Sequence, residues 1–168
     1  MIRSFESKTP KVAPSAFVSE FAYVVGDVEI GEDCSIWPGA IIRGDFAPIR
    51  IGKGTQIEDG CIVHTGTPLT IGDHVHFGHG VVIHCCHIGN NVLVGNNATL
   101  LDDAEIGDAC VIAAGALVQR NAQIPARSFV VGVPGKVKGQ PSEKMIIGLE
   151  KGVTVYTELA RRYKAAGL

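Results

Sequence analysis

Large aliphatic or aromatic side chains recur at every sixth residue along most of the chain. The series runs from Val12 to Val130 and is interrupted by three irregular steps, of nine, eight and five residues. This period fits neither an amphipathic helix nor the simple alternation of a half-buried strand. It predicts short strands separated by turns, with one β-branched or similar side chain directed inward in each unit. The predicted inward positions are Val12, Val18, Val24, Ile30, Ile36, Ile42, Ile51, Ile57, Val63, Ile71, Phe77, Ile83, Ile88, Val94, Leu100, Ile106, Ile112, Val118, Ile124 and Val130.

Turn-forming residues follow many of these positions, two and three residues later. They are the pairs Pro38-Gly39, Lys53-Gly54, Asp59-Gly60, Asn90-Asn91, Asn96-Asn97 and Asp102-Asp103. Gly, Asn and Asp tolerate left-handed backbone, which a tight turn requires. Small side chains four residues after the inward positions predict a second, crowded inward position. They are Cys34, Ala40, Cys61, Ala98, Ala104, Cys110, Ala116 and Ala122, so three of the five cysteines are assigned to the core.

Three such units make one triangular coil, and the series therefore predicts an all-β solenoid, a parallel β-helix, over residues 1–140. The period does not define the hand of the coil, although the general rule for parallel crossovers favours a right-handed one. Over residues 141–168 the apolar residues take helical spacing, with Ser142 as a candidate N-cap. We expect this single amphipathic α-helix to pack along one face of the solenoid.

Charge and composition exclude several classes of partner. The net charge is −2, from 15 basic and 17 acidic residues, and there is no basic block that would favour nucleic acid or an anionic membrane surface. The start of the sequence has no apolar signal-peptide region, and no apolar run is long enough to predict a membrane span. Five cysteines, an odd number, do not suggest a disulfide framework, so we expect a reducing, cytoplasmic environment.

All six histidines fall between His64 and His87, and the repeat indicates which of them can meet. His64 and His84 each directly follow an inward position in adjacent coils, so their side chains should stack about 4.8 Å apart on one face. Arg43 occupies the same column one coil earlier. His79 lies on another edge, directly above Asp59. Two stacked histidines and one from a neighbouring subunit could form a His₃ metal site with an open fourth position.

The alternative is that the histidines only stack on the solenoid face or fill a turn. The remaining three, His74, His76 and His87, do not share these columns, and we interpret them as structural or peripheral. Cys85 and Cys86 could serve as soft metal ligands but fit turn positions better.

Three segments resemble the γ-class carbonic anhydrase family of left-handed β-helix proteins. They are Ile42-Arg43-Gly44-Asp45, Glu58-Asp59-Gly60 with His64, and Gly78-His79-Gly80 through His84. The resemblance implies a left-handed helix and a homotrimer with sites between subunits. It further implies Zn²⁺ bound by His64 and His84 of one chain and His79 of the next, and hydration of CO₂ to bicarbonate by a zinc-bound hydroxide.

The resemblance also implies roles for five other residues. Arg43, Asp45 and Asp59 match family residues that organise the site and the interface, and Arg43 could form a bidentate pair with a carboxylate. Gln56 falls on a polar position of the family motif, and Tyr156 resembles a tyrosine that the C-terminal helix places near the metal.

The archaeal prototype of the family has acidic loops with a glutamate proton shuttle, whereas the two loops predicted here, Gly44–Arg50 and Thr65–Thr70, hold only three and two residues beyond the repeat. The second contains no acid. Because turnover needs proton export, we expect weak hydratase activity.

Two other functions fit the same repeat. Hexapeptide solenoids often transfer acyl groups from acyl-CoA with a histidine as general base, although a long loop over the groove is absent here. A non-enzymatic trimeric scaffold, with a structural metal, is the third hypothesis. A His₃ set accepts Zn²⁺, Fe²⁺ or Co²⁺, so the residues do not identify the metal.

Overall fold

The computed structural model describes residues 1–85 and 87–168 as a parallel β-solenoid of about seven turns that is followed by one α-helix. Its parallel strands are those of a left-handed β-helix of hexapeptide repeats, which confirms the predicted fold class. Cys86 lies outside the described residues. Among those described, no helix combines the length and apolarity needed to cross a bilayer.

One sheet of twelve strands covers two faces of the solenoid. Its strands are β1 (Ile2–Arg3), β2 (Lys11–Val12), β4 (Tyr23–Ile30), β6 (Ile41–Ile51), β8 (Ile62–His64), β9 (Leu69–Ile71), β11 (Val82–Ile83), β12 (His87–Ile88), β14 (Thr99–Leu100), β15 (Glu105–Ile106), β17 (Leu117–Val118) and β18 (Gln123–Ile124).

A sheet of eight strands forms the third face. Its strands are β3 (Phe17–Val18), β5 (Ser35–Ile36), β7 (Gln56–Ile57), β10 (His76–Phe77), β13 (Leu93–Val94), β16 (Val111–Ile112), β19 (Phe129–Val131) and β20 (Lys136–Gly139). The last of these, β20, pairs antiparallel to β19 and ends the solenoid.

The predicted inward positions form the core. Most are fully buried, and Val12, Val18 and Ile124, which lie near the two ends of the stack, are partly buried against the same cluster. The small residues four positions later are also in or against this cluster, including Cys34, Cys61 and Cys110. The register explains this, because equivalent residues of successive coils are direct partners, as Ile57, Phe77 and Val94 are.

The predicted turns also form. The second residue of each pair has positive φ, from 54° to 74°: Gly39, Gly54, Gly60, Asn91, Asn97 and Asp103. One prediction about local structure was wrong. The stretch Gly44–Arg50 is not a loop but part of β6, which turns a corner and pairs with β8 at one end and β9 at the other.

Close backbone approach explains this continuous strand. Glycines of β4 and β6 face each other, and a Cβ at Gly44 would lie 2.5 Å from the carbonyl oxygen of Asp27. A side chain cannot fit there, so the two chains can run together through the corner.

The helix α1 (Glu143–Ala165) packs on the eight-stranded sheet. Ser142 is its N-cap and accepts a hydrogen bond from the backbone N–H of Met145. Tyr156 and Tyr163 of the helix surround Trp37, with ring centres 5.6 and 5.2 Å away. These edge-on aromatic contacts fix the position of the helix relative to the solenoid.

Candidate metal centre

His64 and His84 stack on one edge of the solenoid. Their strands β8 and β11 are hydrogen-bonded neighbours in register, so each imidazole leaves the backbone at an equivalent point of adjacent coils. The ring centres are 5.4 Å apart. Phe46 covers the other side of His64, with its own ring centre 5.4 Å from that of the histidine.

This separation is compatible with shared coordination. Histidine nitrogens bind Zn²⁺ at about 2.0–2.1 Å, and two imidazoles on one tetrahedral ion have ring centres about 5 Å apart. The separation of the two rings, 5.4 Å, is therefore close to that of two imidazoles on one ion.

An arginine–aspartate pair flanks His64. Asp45 Oδ2 lies 2.7 Å from Arg43 Nη1, and Asp45 Oδ1 lies 3.0 Å from His64 Nε2. Arg43 and His64 are register partners on β6 and β8, which brings the three side chains together. A bidentate pair does not form, because the second carboxylate oxygen is occupied by His64.

The electrostatics keep Asp45 ionised. Partial burial raises the pKa of its carboxyl group, but the positive charge of Arg43 and the hydrogen bond from His64 outweigh this and lower the pKa below its ordinary value. Asp45 is therefore an anionic hydrogen-bond acceptor at neutral pH.

A second arginine–aspartate pair flanks His84 on the opposite side. Asp102 Oδ1 lies 2.9 Å from His84 Nδ1, and its Oδ2 lies 3.0 Å from Arg120 Nη2. The hydrogen bond from Arg120 lowers the pKa of Asp102 most, with burial opposing it. Sequence reasoning treated Asp102 only as a turn residue; its position two residues after the inward Leu100, one coil above His84, was the available signal.

His79 lies on a different edge, in the turn after β10. Its Nδ1 is 3.2 Å from Asp59 Oδ2, and its Nε2 is 3.1 Å from Glu58 Oε2. About half of the His79 side chain is exposed. Both ring nitrogens of His79 therefore contact carboxylates of the same chain, and the contact of Nε2 with Glu58 would have to open before Nε2 could bind a metal ion.

Glu58 joins His79 to the C-terminal helix. It is only 3% exposed, its Oε1 lies 2.6 Å from His76 Nε2, and it accepts a hydrogen bond from Tyr156. Burial raises the pKa of Glu58, but the hydrogen bonds from His76 and Tyr156, together with the charges of His76 and His79, lower it overall. Burial of Tyr156 and its hydrogen bond to Glu58 raise the pKa of the Tyr156 phenol to about 12.

Two of these residues were not chosen as site residues from the sequence. Glu58 was noticed only as part of the resemblance, and His76 was interpreted as structural or peripheral. The structure places His76 against both Glu58 and Tyr156. The ring centres of His76 and Tyr156 are 5.1 Å apart. Only a docked helix creates this contact, and the six-residue period carries no information about where the helix lies.

Gln56 helps to hold the C-terminal helix against the solenoid. Its side-chain N–H donates to the carbonyl oxygen of Val153 at 3.0 Å, and the residue is fully buried. Its Oε1 and the neighbouring His76 Nδ1 are both buried without a hydrogen-bond partner. Gln56 and His76 are register partners on β7 and β10, so these two atoms lie under the same part of the helix.

Within the single chain, and leaving residue 86 aside, no group of three or more His, Cys, Asp or Glu side chains is arranged to hold a metal ion. His64 and His84 belong to one cluster and His79 to another. Cys85 is fully buried in the core, and His87 is exposed on β12. Among the described residues, His64, His84 and His79 therefore do not meet within one chain.

The chain is similar to known hexapeptide-repeat proteins. The family model for bacterial transferase hexapeptides (six repeats) matches residues 9–44 and 85–120. A carbonic anhydrase of Geobacillus kaustophilus is 40% identical over 98% of this chain and 92% of its own length. The mitochondrial γ carbonic anhydrase 1 of Arabidopsis thaliana is 36% identical over 94% of this chain, which spans 60% of that protein.

Solved structures include proteins named for a different reaction. A Bacillus cereus crystal structure named as an acetyltransferase has a TM-score of 0.95 and is 36% identical, covering 98% of this chain and 97% of its own. Identities of 36–40% over nearly the whole chain show the family. The chain belongs to the γ-class carbonic anhydrase family of hexapeptide-repeat proteins.

Proposed function

We propose that the protein hydrates CO₂ to bicarbonate and a proton at metal sites shared between the subunits of a homotrimer. His64 and His84 of one chain and His79 of the next would hold the ion. The observation that carries this proposal is the His64–His84 stack, whose ring centres are 5.4 Å apart. When bound, Zn²⁺ would supply a Lewis acid that brings the pKa of water near 7.

The chain's own residues would orient the reactants. Asp45, held ionised by Arg43, can accept a hydrogen bond from water beside His64. Arg43 can in turn stabilise the negative charge of bicarbonate through its remaining N–H groups. Phe46, 79% exposed beside His64, provides an apolar surface for the uncharged substrate.

An apolar column beside the histidines supports assembly at this face. Ile41, Ile62 and Val82 are register partners on β6, β8 and β11 and project outward, and the first two are 36% and 41% exposed. Contiguous exposed apolar side chains commonly mark a protein–protein interface. Burying this column against a second subunit would bring an edge of that subunit's solenoid next to His64 and His84, as a shared site requires.

Single variants test the metal set. We expect His79→Ala to lose bound metal and CO₂ hydration together, whereas His87→Ala, which changes an exposed histidine of β12, should retain both. Full hydration activity in metal-free His79→Ala would contradict the proposal.

Mixed assemblies test whether the site is shared. Chains carrying His64→Ala and chains carrying His79→Ala are each expected to be inactive alone. In an equal, randomly assembled mixture, about a quarter of the intersubunit sites would combine intact residues from both variants and regain metal. A mixture with no recovered metal or activity would place the complete site within one chain and refute the shared arrangement.

An acyltransferase is the second candidate function. Similarity to the Bacillus cereus acetyltransferase favours it, and so does the contact of His84 with Asp102, since an orienting carboxylate is typical of a histidine that acts as general base. Saturable binding of acetyl-CoA to the metal-free protein, measured by calorimetry, would support this reaction. Absence of such binding beside metal-dependent CO₂ hydration would exclude it.

A further inference from the structure

The contact between His84 and Asp102 determines which imidazole nitrogen carries the proton. Asp102 Oδ1 is 2.9 Å from Nδ1 of His84, and its other oxygen accepts from Arg120. An ionised carboxylate has only acceptor atoms, so the hydrogen between these groups belongs to Nδ1. In the neutral imidazole the lone pair then lies on Nε2.

We propose that Asp102 and Arg120 are positioning residues that hold His84 as the Nδ1–H tautomer and present its Nε2 lone pair to a divalent cation. The inference rests on the proposed function for its ligand, but the tautomer is a property of the chain alone. Carboxylates that bind the second nitrogen of a ligating histidine fix the ring and increase its basicity.

The placement of the three residues supports this role. His84, Asp102 and Arg120 follow β11, β14 and β17, which are consecutive hydrogen-bonded strands of one face. Arg120 therefore approaches Asp102 from the side opposite His84 and leaves one carboxylate oxygen for each partner. The two carboxylates near the histidine pair differ, because Asp45 contacts Nε2 of His64 whereas Asp102 contacts Nδ1 of His84.

If the side chain of Asp102 only stabilised its turn, a different experimental result would be expected. Its backbone carbonyl accepts from the N–H of Asn121 in the next coil, and Asp103 supplies the positive φ of the turn. These features depend on the backbone and persist when the Asp102 side chain is removed. If the side chain were only part of the turn, its loss would change stability without changing the tautomer of His84.

The first part of the test is ¹⁵N NMR of the His84 imidazole at pH 8, in wild type, Asp102→Ala, Asp102→Asn and Arg120→Ala. We expect a predominant Nδ1–H form in wild type, loss of this preference in Asp102→Ala, and partial rescue in Asp102→Asn, whose amide oxygen still accepts. Glu105→Ala, which removes an exposed carboxylate of β15, is the matched control and should behave as wild type. A His84 that carries its proton on Nε2 in wild type would overturn the inference.

The second part is a Zn²⁺ titration of the same proteins. We expect Asp102→Ala to bind about 10–100-fold more weakly than wild type, with Arg120→Ala affected less because Asp102 can still accept from Nδ1. Unchanged affinity in Asp102→Ala would overturn the positioning role. If wild type binds no Zn²⁺, the proposed function fails, and the NMR comparison alone decides whether Asp102 sets the tautomer.

Discussion

Replacing Tyr156 with Phe tests the contact between the helix and the buried carboxylate of Glu58. The phenol donates a hydrogen bond to Glu58, and burial together with this bond raises its pKa from 10.0 to about 12. At pH 8 the Phe variant leaves a buried carboxylate with one donor fewer. We expect it to lose about 1–3 kcal/mol of unfolding free energy at that pH.

The difference should shrink as the pH rises. A tyrosine with a raised pKa in the folded state stabilises the fold fully below the unfolded pKa, near 10, and this stabilisation is lost as the pH rises towards 12. Between pH 8 and pH 11 a shift of this size corresponds to about 1.4 kcal/mol, and solvent near the partly buried ring reduces it to about 1 kcal/mol. The Phe variant has no such loss at position 156.

Urea unfolding of both proteins at equal chain concentration, at pH 8 and pH 11, measures this difference. Titration of the phenolate absorbance provides a second readout, since wild type should contain a tyrosine that ionises near pH 12 and that is absent from the Phe variant. Parallel loss of stability in the two proteins, or a Tyr156 that ionises near pH 10, would show that the Tyr156–Glu58 contact does not stabilise the fold.

Two further changes probe the solenoid. Gly44→Ala would place its Cβ 2.5 Å from the carbonyl oxygen of Asp27, so we expect it to lower the urea stability by about 1–3 kcal/mol, whereas Gly66→Ala, which meets open space, should be close to wild type. Equal stability of the two variants would contradict the close approach of β4 and β6. Burial raises the pKa of Cys34 to about 12 and of Cys61 to about 11, so neither thiol should react with a thiol reagent at pH 8 until the protein unfolds. Peptide mapping by mass spectrometry checks this, and native labelling at either position would show that the core is open.

The core could be predicted because the solenoid converts a simple period into geometry. Every inward position is one large residue in a fixed register, as Ile57 and Phe77 are, so the pattern also predicted that His64 and His84 would stack. Many turn residues could be predicted for the same reason, because the turn needs one residue with positive φ and Asn, Asp or Gly often occupies it. At three turns His74, Ala109 and Arg127 take this conformation instead, and the composition gave no signal for them.

Two contacts of the candidate site could not be predicted from the period. Asp102 reaches His84 from the next coil, and Tyr156 reaches Glu58 from a helix almost a hundred residues away. Such contacts depend on side-chain direction and on which face the helix covers, and neither follows from a repeat of six. The continuous strand β6 was missed because the extra residues in the repeat suggested a loop, whereas paired glycines allow the strand to bend.

The proposed function depends on a functional metal ion held by the histidine columns. Its most direct test is the metal content of the purified protein together with stopped-flow CO₂ hydration, on wild type, His64→Ala and the control His87→Ala. We predict about one ion per chain in wild type and in the control, and loss of both metal and hydration in His64→Ala. Failure of wild type to bind metal after anaerobic reconstitution with Zn²⁺ or Fe²⁺ would contradict the account and leave the stacked histidines a structural feature of the solenoid.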